Sequence, residues 1–233
     1  AAMGTKGVPF TWTSLTNAMK TDLWGSTTGG EPLIAYLRGD STDEGTSKRK
    51  RGSMLGDIVN STPALVKDLS NANYEFLPPG DPAYGAKYYL RFLKAKALRQ
   101  AQIIVGANDG MLHAFSDADG TETFAYMPRN ILGSVKQLAD PAYTHRYFVD
   151  GPVYETDVYD QSASKWRNLI QGSGGAGGKY IYTIRMPVAD WTSGNTPPAA
   201  LSTTASAPGA SDILWEIDNQ TPQFEELGYT LTR

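Results

Sequence analysis

The sequence predicts a mainly β fold of short antiparallel strands interrupted by helical insertions. Three observations carry that expectation. The 233 residues include 24 glycines and 14 prolines alongside 13 tyrosines and 5 tryptophans, as expected of many turns joining strands whose aromatic side chains suit pleated surfaces. Short apolar runs such as "QIIVGA", "MLHAF", "ETFAYM" and "DILWEI" are separated by segments rich in turn residues. The order of strand and turn signals also repeats along the chain. At 40% hydrophobic, the sequence can bury a sizeable core, in one large domain or two small ones.

From the N-terminus, "TWTSLTNAMKTDLW" predicts a short helix capped by Thr13 or Ser14, with Leu15, Met19 and Leu23 on one face. Gly29 and Gly30 break that pattern. "PLIAYLRGD" is apolar and leads into "STDEGTSKRKRGS", whose charge predicts a solvated, mobile loop. "MLGDIVNSTPALV" is extended, and Pro63 suits it to a sheet edge or a strand start. Residues Pro78 to Tyr84 are turn-rich. "GAKYYLRFLKAKALRQ" reads as an amphipathic helix, with Tyr89, Phe92, Leu93 and Ala97 turned inward and Lys87, Arg91 and Lys94 in solvent.

Strand signals follow, then a helical insertion in "PRNILGSVKQLADPAY", where Ile131, Leu132, Val135 and Leu138 share a face. Strands resume at "RYFVDGPVYETDVY", "WRNLIQG", "KYIYTIRMP" and "DILWEI". Between the last two, "SGNTPPAALSTTASAPGAS" reads as an exposed insertion.

The repeat has the order strand, glycine-rich turn, strand, polar segment, aromatic strand. It runs once from Ile103 to Tyr126 and again from Leu169 to Ile217. The two glycine turns start 66 residues apart, at Gly106 and Gly172. A propeller of radially stacked meanders, a sandwich or another barrel would each accept such strands.

Within the first repeat, Asn108-Asp109-Gly110 is hairpin chemistry: Asn and Gly tolerate positive φ, and a short Asp side chain bonds to nearby amides. A metal would need further carboxylates in register, and a phosphate loop would need a following helix. In the second repeat, Gly174, Gly175, Gly177 and Gly178 lack dinucleotide-binding spacing and read as a flexible structural turn. His113 lies on a strand face between Met111 and Phe115, as a packed histidine does. His145, with Arg146 beside it and Asp150 nearby, reads as structural. Neither a catalytic serine elbow nor a cysteine is present.

Arg38-Gly39-Asp40 is an integrin-type tripeptide and the candidate ligand-binding set. It would require a guanidinium and a carboxylate on one exposed loop tip, and packing of its own segment is the competing explanation. Lys48 to Arg51 is the densest cation run and reads as solvated. A formal charge of −3 argues against a general nucleic-acid binder. No apolar run reaches the roughly 20 residues needed to span a bilayer, and the N-terminus has no signal-peptide core.

Five motifs in order, "YLRGD", "LGDIVNSTP", "VGANDGMLHAF", "LADPAYTHRYFVDG" and "GSGGAGGKYIY", together resemble the C-terminal region of the PilC/PilY type IV pilus proteins. The resemblance implies an incomplete, modified, quinoprotein-like β-propeller with helical insertions. Residues 1–52 would form a helical lead-in and charged loop. Residues 53–233 would supply about two to three blades, part of one larger domain. It implies a non-enzymatic, exported surface protein at the pilus tip or outer membrane that promotes pilus biogenesis, opposes retraction and mediates adhesion. Its partners would be minor pilus subunits, host or surface receptors, and the remaining propeller strands from the same parent or another chain.

Some members of that family carry an EF-hand-like calcium loop. Here a loop from Asp40 reaches Arg51 at position 12, where a bidentate Glu is needed, and one from Asp117 reaches Pro128. Neither fits, so no metal ligand is assigned, and a calcium loop of the parent is expected beyond Arg233. Binding by the exposed segments Gly39–Ser53, Pro78–Gly85 and Trp191–Ser211 follows as the expected mode of action. The alternatives are a fragment of a quinoprotein-type dehydrogenase propeller, and a purely structural scaffold whose adhesive part lies elsewhere.

Overall fold

A computed structural model describes residues 7–67, 69–84, 87–188 and 207–231. Among the described residues, eight strands form two four-stranded antiparallel meanders, each in sequence order. The first comprises β1 (Ala64–Val66), β2 (Gln102–Gly106), β3 (Leu112–Ser116) and β4 (Glu122–Tyr126). The second comprises β5 (Val153–Asp160), β6 (Lys165–Ser173), β7 (Tyr180–Met186) and β8 (Ile213–Asp218). The repeat read from sequence is β2–β4 followed by β6–β8, and each copy gains one preceding edge strand. Pro63, with no N–H to donate, stands just before the edge strand β1. The Trp191–Ser211 insertion lies largely outside the described residues, as does Gly85.

Register decides which side chains are buried, because neighbours along a strand point to opposite faces. Ala64, Ile104 and Ala114 align across the first sheet, and Ile170, Ile184 and Ile213 across the second. Both rows join one hydrophobic core with Tyr126, Tyr180 and Tyr182. Among the described residues, four α-helices close that core or flank it: α1 (Asn17–Trp24), α2 (Glu31–Leu37), α3 (Lys87–Lys96) and α4 (Leu132–Val135). Ile131, Leu132, Val135 and Leu138 are all buried, as their spacing predicts.

Helix α1 begins later than its sequence suggests. Its cap is Thr16, whose hydroxyl accepts from Met19 N at 3.3 Å, rather than Thr13 or Ser14. Leu15 therefore precedes the helix, yet it is buried with Leu23. Helix α3 departs further from expectation. Tyr89 and Leu93 are buried, but Ala97 is exposed, and the inward stripe ends on Lys96, followed by Arg99.

Those two cations meet the carboxylates of β5. Lys96 Nζ lies 2.8 Å from Glu155 and 3.1 Å from Asp157, and Arg99 lies 3.5 Å from Glu155. Asn168 on β6 knits the group together. Its amide nitrogen donates to both carboxylates at 2.8 Å, and its oxygen accepts from Arg99 at 2.8 Å. Burial depresses the Arg99 pKa from its usual value while Glu155 and Asp157 oppose that shift. Two positive and two negative charges balance, which is how charges this deeply buried are accommodated.

The glycine-rich turns are packed, not flexible. Residues Phe148 to Gly151 run between them. A β-carbon on Gly106 would fall on the carbonyl oxygen of Val149, and one on Gly177 on that of Phe148. Gly175, at φ +57°, abuts Gly151 in the same way. Gly174 and Gly178 lie against the Tyr180 ring. Tyr180 Oη donates to Phe148 O at 2.9 Å, and Asp150 N donates to Gly174 O at 3.2 Å.

Lys96→Met keeps the volume of the side chain but leaves Glu155 and Asp157 with one cation between them. Urea unfolding should show a loss of about 3 kcal/mol or more. A loss under about 1 kcal/mol would mean that the buried charges are not interdependent.

Candidate functional site

Two adjoining hollows flank the segment Gly52–Asp57, with volumes of about 350 and about 490 Å³. Leu37, Met54, Leu55 and Asp109 line both. The first is completed by the charged loop after α2, by Asn108, and by Tyr143 and His145. The second lies against β3 and β4, where His113, Phe115 and Glu122 face it.

The charged loop is pinned in place, contrary to its reading as solvated and mobile. Arg51 makes the decisive contacts. Its Nε lies 2.5 Å from Glu44, and its two terminal nitrogens donate to the carbonyls of Tyr36 at 2.7 Å and Asp40 at 2.8 Å. The guanidinium stacks 4.0 Å from the Tyr36 ring centre. Lys48 pairs with Asp43. Tyr36 Oη in turn donates to the carbonyls of Arg49 and Leu138 at 3.1 Å each, tying the loop to the helical insertion.

The tripeptide Arg38-Gly39-Asp40 sits in the turn that ends α2. Arg38 donates back to Phe10 O at 3.3 Å, and Gly39 takes φ +106°. Asp40 accepts from Thr42 N at 2.7 Å, and the Thr42 hydrogen bonds hold its carboxyl below the usual range. Arg38 and Gly39 line the second hollow, whereas Asp40 lines a smaller one with Asp43 and Lys48. Arg38 and Asp40 are both exposed in this turn.

Asn108-Asp109-Gly110 does more than turn the chain. Gly110, at φ +93°, makes the reversal. Asn108 is buried; its oxygen accepts from Phe148 N at 2.9 Å, and its amide donates to Asp57 at 3.1 Å. Asp109 accepts from Gly56 N at 2.7 Å and from Met111 N at 3.1 Å. One turn thus fastens both the cleft segment and the connection between the sheets.

His113 stands between two carboxylates, with Nε2 3.0 Å from Asp109 and Nδ1 2.6 Å from Glu122. Both partners accept, so the geometry calls for a proton on each ring nitrogen. Burial works against that charge, but the Asp109 and Glu122 bonds outweigh it and raise the pKa above 6.5. His145 pairs with Asp57 at 2.8 Å, not with Asp150. Asp150 is buried and accepts from Asn60 N at 3.0 Å. Burial tends to raise the Asp57 carboxyl, yet the His145 and Asn108 bonds bring it below its usual value.

Among the described residues, no group of three or more His, Cys, Asp or Glu is arranged to hold a metal ion. What the cleft offers is recognition chemistry: guanidinium groups on aromatic rings, carboxylates with fixed partners, and an apolar wall. Arg49 and Arg51 fall within the Gly39–Ser53 segment expected to bind, whereas Asp57 and Tyr143 lie outside every segment expected to bind. The signal for Arg51 is Glu44, seven residues earlier across the Gly45 turn, an arrangement that pairs charges locally.

Two four-stranded meanders in sequence order have the strand count and order of β-propeller blades. Residues 55–232 match the family model described as the PilY1 beta-propeller domain, and the chain belongs to that family. It is 35% identical over 218 residues to a type IV pilus biogenesis factor PilY1 homolog of Xylella fastidiosa, covering 90% of this chain and 13% of that protein. It is 33% identical over 245 residues to type IV pilus biogenesis factor PilY1 of Pseudomonas aeruginosa strain PAK, covering 100% of this chain and 19% of that protein. The chain therefore spans under a fifth of these relatives. The crystal structure of the Pseudomonas aeruginosa PilY1 C-terminal domain aligns over 64% of this chain and 25% of its own, at 28% identity and a TM-score of 0.42.

The His113 contribution to stability carries a definite sign. Its folded pKa lies above the unfolded value of 6.5, so the contribution is full below 6.5 and fades as pH rises through the folded pKa. In urea unfolding, wild type should exceed His113→Gln by more at about pH 5.5 than at about pH 8.5. An equal gap at both would refute a charged ring.

Proposed function

We propose that this chain is a non-enzymatic propeller segment of a type IV pilus biogenesis factor, exported to the cell surface and acting at the pilus tip or outer membrane. The observation that carries this reading is the family match, which runs through both sheets from residue 55 to residue 232. The relatives' description as biogenesis factors supplies the system in which the module works. In this reading the segment promotes pilus assembly, opposes retraction and contributes to adhesion, with minor pilus subunits and surface receptors as partners. It acts by binding, through segments held on a rigid sheet scaffold.

The outer face of the first sheet supports a place within a larger propeller. Leu65 and Ile103 are cross-strand partners, 60% and 37% exposed, and Phe115 continues the row. Further strands, from the same parent or another chain, would cover this apolar row.

A segment exchange tests the proposal. Residues 55–232 should replace the matching segment of the Pseudomonas aeruginosa relative and keep surface pili, measured as pilin in the sheared fraction. The same exchange carrying Leu65→Glu and Ile103→Glu should lower that yield. An exported chimera that gives no more pili than a strain lacking the factor would refute the assignment.

A further inference from the structure

We infer that the first hollow is a receptor for a polypeptide C-terminus, with Arg49 as its carboxylate anchor. This names the ligand chemistry of the cleft and rests on reading the chain as a binding module. The starting point is how the hollow's cations are engaged. Arg51 directs all three of its side-chain nitrogens at Glu44, Tyr36 and Asp40. His145 points Nε2 at Asp57. Arg49 differs: Nε donates to Leu138 O at 2.9 Å, and among the described residues its two terminal nitrogens make no hydrogen bond.

That guanidinium is also held still. It stacks 4.4 Å from the Tyr143 ring centre, and its backbone N–H donates to Ala139 O at 2.9 Å. A fixed guanidinium fork with free terminal nitrogens matches the two oxygens of a planar carboxylate.

The surrounding groups narrow the ligand. Asp57 lines the same hollow, so a dianionic phosphate would meet more repulsion there than a singly charged carboxylate. Asp57 receives both His145 and Asn108 on Oδ2, and among the described residues no other residue donates to its Oδ1. That oxygen suits a ligand N–H placed close to the carboxylate, which is the arrangement at a chain's last residue. Leu55, Leu138 and Met54 supply an apolar wall for an aliphatic side chain. At about 350 Å³ the hollow accepts a residue or two of extended chain, the lower end of the roughly 300–1,000 Å³ of small-ligand sites.

The test is a titration of the 233-residue chain, followed by amide-resolved NMR, with acetyl-alanyl-leucine, its C-terminal amide, free leucine and inorganic phosphate. The acid should saturate the cleft, with the amide at least about tenfold weaker, because only the acid presents two oxygens to the fork. Arg49→Gln should abolish binding of the acid, and Arg49→Lys should weaken it about tenfold by losing the bidentate geometry. Equal binding of acid and amide overturns the inference. So does phosphate or leucine binding as tightly as the acid, or no saturation at about 10 mM, a Kd range of weak contacts. If an Arg49 variant misfolds by circular dichroism, the acid–amide comparison on the unaltered chain decides alone. Pilus yield plays no part here, so failure of this inference is distinct from failure of the pilus assignment.

Discussion

The structure depends on the close passage of Phe148–Gly151 between the two glycine turns. Gly106 presses on the Val149 carbonyl from one side, while Gly175 and Gly177 meet Gly151 and Phe148 from the other. Side chains at these positions would force backbone apart, and overpacking of this kind costs about 1–3 kcal/mol or more. The passage is also closed by hydrogen bonds: Phe148 N to Asn108, Tyr180 Oη to Phe148 O, and Asn60 to Asp150. Each sheet contributes one turn, so the clamp sets how the two meanders sit against each other. Asn108 reaches Asp57 from the same turn, which makes the cleft an extension of the clamp.

The Lys96–Arg99–Glu155–Asp157 cluster adds a second constraint. Buried charge contributes little net stability against an apolar equivalent, but it penalises every arrangement that separates the partners. Glu155 and Asp157 alternate on one face of β5, and a one-residue slip would turn both away from α3. In effect the cluster keys the helix to a single register of the second sheet.

Much of the fold was legible in the sequence because strands betray themselves by alternation. The β2–β4 and β6–β8 runs, the helical insertion after Pro128 and the edge position of β1 all follow from local pattern. What escaped was burial of unexpected residue types. Lys96 stands seven residues after Tyr89, on the inward stripe, yet a lysine there reads as surface until its partners on β5 are known. The glycines were legible as turns but not as contact points, since the absence of a side chain fits flexibility and tight packing equally. The site was least visible. Tyr143 stands far in sequence from Arg49, Arg51 and Asp57, and only the fold of the loop against the helical insertion brings them together.

The two hollows share a wall but differ in electrical character, and the difference follows from where each cation is engaged. In the second, His113 lies between Asp109 and Glu122 and offsets their charge, leaving a surface of Phe115, Phe124 and Met127 with Arg38 at its edge. In the first, His145 and Arg51 are held by Asp57 and Glu44, while among the described residues the Arg49 terminal nitrogens, beside an aromatic ring, make no hydrogen bond. Its geometry is fixed before any partner arrives, so a bound group would order little that is not already ordered, the condition under which a small contact gives useful affinity. The clamp inside and the two hollows outside are thus joined through one turn, since Asn108 holds Phe148 on one side and Asp57 on the other.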